Sequence, residues 1–369
     1  MTDFKMSHNH SIKNNLDFIK NKFALNQIEI SPLKSPFSVE FYEKWLHNNY
    51  HGSMTYLQTH LPYKQNPLLL DSKLKSVLSV AQSYFPAIQP VDNKSPARIA
   101  LYAQNEDYHF WLKQKLLEII NTLKLDFPNE IFLPYVDSGP ILERDMAFQN
   151  RLGWFGKNSC LIHPEHGSLF FIAEILTNLD LGSDHPTLDP LPDFCGTCQK
   201  CMEICPTQAL IAPRTLKADQ CISYLTIESK TIPPVEYRKQ IGDWFFGCDL
   251  CQTVCPWNQK VFRKKNIAKT EQISTSNMLQ IKPESRSDLI TYFHFLLSAS
   301  HKQIQKFHYG SPLSRAGAKG LKRNALIVIA NQNLTELQPS VENIMLGQNT
   351  TTEELKELAL WTLDQLKKN

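Results

Sequence analysis

The sequence predicts an α+β protein in three parts, and three observations predict it. Eight of the nine cysteines fall between Cys195 and Cys255. Strand-like alternation and one long helical period come before them, and helix-length amphipathic stretches with short connections come after. The expected division is residues 1–185 for a mixed α/β domain, 186–265 for a compact metal-bearing insert, and 266–369 for a helical domain. A length of 369 residues exceeds one ordinary domain, and 42% hydrophobic with 20% charged residues describes a globular chain rather than a disordered or fibrous one.

The first twenty residues carry Asp3, Lys5, His8, His10, Lys13 and Asp17 with no apolar block, so no signal peptide or leader is expected and a cytoplasmic location is. The longest apolar run, Leu169–Ile175, contains Glu174 and falls far short of the ~18 residues of a membrane span. No membrane partner is expected. Lys75–Ala81 alternates apolar and polar positions as a half-buried strand does, and Leu161–Ile162 and Leu169–Leu176 read as further strands around a turn at Gly167. Between them, Trp111, Leu112, Leu116, Ile119, Ile120 and Leu123 recur at helical spacing over residues 108–123, with Asp107 in the capping position. Residues 177–194, punctuated by Pro and Asp, read as a linker or lid. After the cysteines, 287–298, 320–330, 334–346 and 352–368 have the lengths and short connections of HEAT-like helical pairs.

Cys195, Cys198, Cys201 and Cys205, followed by Pro206, follow the pattern C-x2-C-x2-C-x3-C-P. In bacterial ferredoxins a tight loop sets the first three thiolates on three corners of one [4Fe–4S] cube, and the fourth reaches the other cube. Cys248, Cys251 and Cys255, before Pro256, form a second run one cysteine short, and Cys221 supplies the missing ligand. One cube then takes Cys195, Cys198, Cys201 and Cys255; the other takes Cys205, Cys221, Cys248 and Cys251. Structural zinc is the competing reading, and the interlocked x3-C-P steps with no nearby histidine argue against it. A disulfide framework is disfavoured in a large chain with an odd cysteine count. Cys160 is left over as a buried thiol. The chain is far longer than an electron carrier needs, so the clusters are expected to feed a catalytic site in the N-terminal half.

Seven segments in order resemble the epoxyqueuosine reductase family. They are Asn105-Glu-Asp-Tyr-His109, Tyr135-Val-Asp137-Ser-Gly-Pro-Ile-Leu-Glu-Arg144, Leu152-Gly-Trp-Phe-Gly-Lys-Asn158, the first cysteine run Cys195–Pro206, Cys221-Ile-Ser-Tyr-Leu-Thr-Ile-Glu228, the second cysteine run within Phe246–Asn258, and Gly310–Asn324. The resemblance implies a cobalamin-binding α/β domain, a ferredoxin-like insert and a HEAT-like C-terminal domain. It implies an oxidoreductase that removes the epoxide oxygen of epoxyqueuosine in the anticodon loop of tRNA, the last step of queuosine synthesis. Its cofactors would be two [4Fe–4S] clusters and base-off cobalamin, its electrons would come from a carrier such as a ferredoxin or flavodoxin, and it would act as a monomer.

By the same resemblance, Asp137 is the catalytic proton donor and, with Tyr102, Asp107, Tyr108, His109, Arg144, Lys157, Asn158, Ser223 and Asp249, belongs to the cofactor pocket. Opening an epoxide and expelling its oxygen both need a proton, and a carboxyl desolvated against a corrin would keep one near neutral pH. The plainer reading of Asp137-Ser-Gly-Pro is a turn. Asp107-Tyr-His109 begins like a base-off cobalamin signature, but Leu112 replaces its glycine, which favours His109 as pocket wall or helix start over axial ligand. Arg144 could hold a corrin amide, the tRNA backbone or a surface ion pair. Gly153–Asn158 lacks the spacing of a phosphate loop.

The net charge of +3 says little, but its placement says more. Lys302, Lys306, Arg315, Lys319, Lys322 and Arg323 occur with no intervening acid, and Lys260, Arg263, Lys264, Lys265 and Lys269 form a second basic stretch. Such runs are commonly solvated helix faces; two of them flanking the insert suggest a phosphate-tracking surface, with Lys319, Lys322 and Arg323 as RNA contacts. The sequence departs from the family near Lys64, at Leu101 and at Gln104-Asn105. A reductive dehalogenase is the competing enzyme, disfavoured by the missing leader and the basic helical domain. A non-catalytic electron carrier is the competing non-enzyme.

Overall fold

The computed structural model describes residues 15–84, 97–181, 189–267, 285–347 and 352–368. Four strands make the central sheet: β1 (Gln27–Pro32), β2 (Ser76–Ser83), β3 (Phe132–Val136) and β4 (Phe170–Thr177), in the order β1-β2-β4-β3. Every pairing is antiparallel, so the expected α/β domain is α+β in the strict sense. β2 and β4 form where strands are predicted, but instead of being half-buried β2 is buried on both faces from Ser76 to Ala81 and β4 from Ala173 to Thr177, because helices cover both sides of the sheet. β3 was not foreseen: Pro134 interrupts its pattern, and it survives because β3 is an edge strand. Glu174, which broke the apolar run, is fully buried in β4; burial pushes its carboxyl well up and it accepts a hydrogen bond from Ser79 Oγ at 2.6 Å.

Helix α1 (Tyr108–Asp126) covers one face of the sheet, laying Leu112, Leu116, Ile119 and Leu123 on Val80, Val136 and Ile175. Asp107 caps it as predicted, accepting from the His109 backbone N–H at 3.0 Å. On the other face α2 (Glu143–Gln149) packs Met146 against Val77 and Leu176. The insert holds the short helices α3 (Lys200–Glu203), α4 (Ile222–Ile227) and α5 (Leu250–Thr253). Strand β5 (Trp244–Phe246) pairs in parallel with Arg98–Ile99.

Beyond it lie α6 (Arg286–Ser298), α7 (His301–Phe307), α8 (Gly317–Asn331), α9 (Gln338–Met345) and α10 (Glu353–Leu366). Four of these fall within a few residues of the predicted stretches; α7 is additional. Capping boxes at Ser285/Asp288 and Ser300/Gln303 start α6 and α7. α8 is the hub, buried on nearly every side, with Leu321, Leu326, Ile327, Val328 and Ile329 each contributing roughly 1.5–3 kcal/mol of gross burial. Its core also takes in Ile99, Ile222, Leu225 and Trp244–Phe246. The sequence boundary near residue 265 therefore does not separate cores: half of the insert packs with the C-terminal helices. Among the described residues, no helix is long and apolar enough to cross a membrane.

Candidate active site and iron–sulfur insert

Asp137 directly follows β3, where the chain leaves the sheet edge. Its φ of 54° lies in the left-handed region, which costs of order 1 kcal/mol for a residue with a Cβ and is most tolerable for Asp or Asn. Tyr108 Oη donates to Asp137 Oδ2 at 2.6 Å, and His109 Nε2 lies 3.2 Å from the same oxygen. The other imidazole nitrogen, Nδ1, is 2.7 Å from Asp107 Oδ1. The helix cap thus also orients the histidine. Tyr108 stacks on Phe171 and on His109, each with ring centres 4.2 Å apart.

Asp137 shows 53% of its side chain to solvent yet is ringed by protein, so it forms the floor of a cleft. Burial works to raise its pKa, but hydrogen bonds from His109 and Tyr108 and the charges of His109 and Arg315 outweigh it. These partners hold the carboxyl below its ordinary value; the raised value is expected of a carboxyl desolvated against a corrin. The proton resides instead on His109: burial disfavours its charged form, but its bonds to Asp107 and Asp137 lift its pKa to about 9. Glu143, beside the Asp137 backbone N–H, is pushed up to about 8, first by burial and then by the Asp137 charge. Two groups beside Asp137 are therefore protonated at neutral pH.

The wider cleft draws on distant segments. Lys64 is buried and donates to Ile141 O at 2.8 Å, bracing the loop after Asp137. Arg315, ahead of α8, pairs with Glu228 at 2.8 Å and lies close enough to help lower the Asp137 pKa. Tyr102 sets its ring edge against Tyr108. Arg144 donates to Ser159 O. Sequence reasoning missed Glu143, Lys64 and Arg315 as parts of this site. Glu143 and Arg315 stood inside quoted motifs with no role assigned to them, whereas Lys64 is brought in by tertiary packing.

In the insert, Cys195, Cys198, Cys201 and Cys255 line one cavity of about 130 Å³, which is the predicted first quartet. In the second quartet, Cys205 and Cys248 both lie near Cys221, and Cys221 and Cys248 both lie near Cys251, close enough to perturb one another's ionisation. Backbone N–H groups point at the sulfurs: Ala209 N–H donates to Cys205 Sγ at 3.3 Å, those of Ser223 and Tyr224 to Cys221, and those of Trp257 and Asn258 to Cys255. Burial pushes the thiols of Cys201, Cys221, Cys248, Cys251 and Cys255 up, so without metal they stay neutral. Cys160 is pushed up to about 11 by burial and lies between the quartets and Arg144.

Several of the residues expected at the cofactor also make contacts within the chain. Lys157 Nζ donates to Gly196 O at 2.6 Å and Cys198 O at 2.9 Å, so it binds the first cysteine loop. Asn158 is buried, donates to Cys251 O at 3.3 Å and lines the same cavity. A Cβ on Gly153 would strike Ile162 O at 2.4 Å, and one on Gly156 would strike Ile162 Cδ1 at 2.5 Å, so both glycines are needed for close packing against Ile162. Asp249 is buried and accepts from the Leu101 N–H at 2.6 Å, bracing the insert against the N-terminal half. Ser223 is half-buried; its backbone N–H points at the Cys221 sulfur and its carbonyl accepts from Thr226 Oγ1 at 3.2 Å.

Two of the three expected RNA contacts are buried. Arg323 is 1% exposed and donates to Thr231 O at 3.1 Å and to Ser229 O; Lys322 is 6% exposed and donates to Leu297 O at 3.3 Å. Both belong to the core because α8 is surrounded. Lys319 is paired with Glu354. In the other basic stretch Lys260 lies over the Trp257 ring, while the side chains of Lys264 and Lys265, and Lys269 altogether, lie outside the described residues.

A double iron–sulfur insert beside a proton-bearing carboxylate cleft defines a redox enzyme, and comparison with known proteins makes the class specific. Residues 194–258 match the model of the 4Fe-4S double cluster binding domain, and residues 64–138 that of "Epoxyqueuosine reductase QueG, DUF1730". The chain is 31% identical over 346 residues to the epoxyqueuosine reductase of Pseudomonas aeruginosa, covering 93% of this chain and 91% of that protein. It is 42% identical over 217 residues to that of Cyclobacterium marinum, 59% of this chain and 69% of that one. A crystal structure of epoxyqueuosine reductase with a tRNA-Tyr epoxyqueuosine-modified stem loop superposes with a TM-score of 0.80 at 25% identity, covering 97% of this chain and 91% of that one. The chain belongs to the epoxyqueuosine reductase family and is an oxidoreductase carrying a double 4Fe–4S domain.

Proposed function

We propose that this chain reduces the epoxide of epoxyqueuosine in tRNA to queuosine, with Asp137 delivering the proton. The observation that carries this reading is the Asp107–His109–Asp137–Tyr108 network on the floor of a cleft, with two cysteine quartets in the adjoining insert. The reaction removes one oxygen as water and consumes two electrons and two protons. Cobalamin, fed electrons through the clusters from a carrier such as a ferredoxin or flavodoxin, would supply a reducing, nucleophilic metal when bound. The donor set suits such a group: Ser159 Oγ is buried without a partner beside Arg144, and Arg144, Ser159 and Tyr102 can meet the amide-rich rim of a corrin.

The chain's own groups manage the protons. His109 holds one at neutral pH and passes it through Nε2 to Asp137 Oδ2, 3.2 Å away, which places it on the departing oxygen. Tyr108 steadies the carboxylate between transfers. Glu143, protonated below about pH 8, is the nearest source for a second proton. The protein would act as a monomer. The test uses anaerobically reconstituted full-length protein with cobalamin and a reductant, acting on tRNA that carries epoxyqueuosine. Nucleoside mass analysis should show loss of one oxygen. Absence of conversion by protein loaded with iron and cobalamin refutes the reading.

A further inference from the structure

A cavity of about 340 Å³ opens beside the Asp137 cleft, between the first turn of α1 and the C-terminal helices. Asp107 and Phe110 form one wall; Ile304, Gln305, His308 and Tyr309 contribute the other. The Asp107 N–H donates to Gly310 O at 2.8 Å, so the residue that orients His109 also fastens the two walls together. Two lining aromatics face water: Tyr309 is 85% exposed and Phe110 63%. Exposed rings flanking one cavity mark a contact surface more often than chance exposure does.

The floor is polar. His308 is 1% exposed; its Nε2 lies 3.1 Å from Tyr292 Oη, while Nδ1 has no hydrogen-bond partner. Burial lowers the pKa of His308 to about 4, so the ring is neutral at physiological pH. The α7 side of the rim is cationic, while the opposite wall carries the Asp107 carboxylate, held by His109. α7 exposes His301, Lys302 and Lys306, and no Asp or Glu occurs from residue 299 to 335. Flat apolar faces, a neutral hydrogen-bonding floor and flanking cations are the combination that holds a single-stranded base and its phosphates. The volume is at the small end for ligand sites, which suits one base with its sugar.

We propose that this cavity takes an unmodified anticodon-loop base adjacent to the reacting nucleoside, stacked on Tyr309 and Phe110, with Lys302 and Lys306 on its phosphates. The inference rests on the reading that the chain acts on an RNA loop. It replaces the buried Lys322 and Arg323 with residues that can reach RNA.

The test is an epoxyqueuosine-modified stem loop carrying 2-aminopurine immediately before or after the modified position, titrated into full-length holoprotein. Wild type should quench one of the two probes. Tyr309→Ala and Phe110→Ala should each abolish quenching, weaken binding roughly ten-fold and raise KM with kcat unchanged, while Tyr309→Trp restores all three. Iron content checks that the variants are loaded. Unchanged quenching and affinity in both alanine variants would overturn the proposal. So would slower reduction by a carrier protein at unaltered RNA affinity, which would assign the surface to a protein partner. Quenching without turnover in wild type would support the pocket and count only against the proposed reaction.

Discussion

The cysteine insert and the Asp137 cleft handle charge in opposite ways. In the insert, burial pushes thiols up, so the ligands become thiolates only when metal arrives. In the cleft, a half-open carboxyl is pulled down by two hydrogen bonds already in place. The insert therefore depends on its clusters for its electrostatics, whereas the proton network is preorganised by the protein alone. That difference predicts separable failures.

The largest effect should come from Cys221→Ala. The second quartet has no spare cysteine, so the variant should lose half its iron and all turnover; full iron content would show that Cys221 is not a ligand. Asp137→Asn should keep iron and stem-loop binding yet slow single-turnover reduction by on the order of 10²-fold. His109→Gln should be milder, roughly ten-fold at pH 7, because the carboxylate remains but its proton store is gone.

The sign of the pH dependence follows from the raised His109 pKa. The charged imidazole is favoured in the folded protein, so any stability it contributes is complete below the unfolded value near 6.5 and is lost as pH rises through about 9. Wild-type turnover should decline over the same upper limit, and the His109→Gln profile should lack that decline.

Arg323→Ala breaks the comparison from outside both sites. It strips donors from Ser229 O and Thr231 O in the core and should cost about 3 kcal/mol, read as a lowered unfolding midpoint. Lys319→Ala removes one surface ion pair and should change stability by less than about 0.5 kcal/mol, with stem-loop affinity unaltered.

The two regions also differ in how far the sequence revealed them. Most cluster ligands come from short loops at fixed spacing, so Cys195 to Cys205 and Cys248 to Cys255 stand out directly, and Cys221 enters as the ligand the second run lacks. The Asp107 cap and the two-residue step to His109 are equally local. Lys64, Glu143 and Arg315 meet Asp137 through packing, and no periodicity announces that. Lys322 and Arg323 misled for a related reason. A basic helical run is normally solvated, but α8 is enclosed by α6, α7, α10 and β5, and buried carbonyls take its cations. The edge strand β3 escaped notice because Pro134 is permitted only where a neighbouring strand is absent on one side. Lys157 and Asn158, expected at the cofactor, also hold the cysteine loops, a contact made because the loop after Gly153 folds back onto the insert.

Where the acidic proton sits is measured most directly by NMR titration of His109 in protein labelled with 15N-histidine, assigned by comparison with His109→Gln. The imidazole should be charged at pH 7.5 and titrate near pH 9 in wild type, and its pKa should fall in Asp137→Asn, which loses the charge of one partner. A wild-type imidazole already neutral at pH 7.5, or one whose titration ignores the loss of the Asp137 charge, would contradict the proton network on which the proposed chemistry depends.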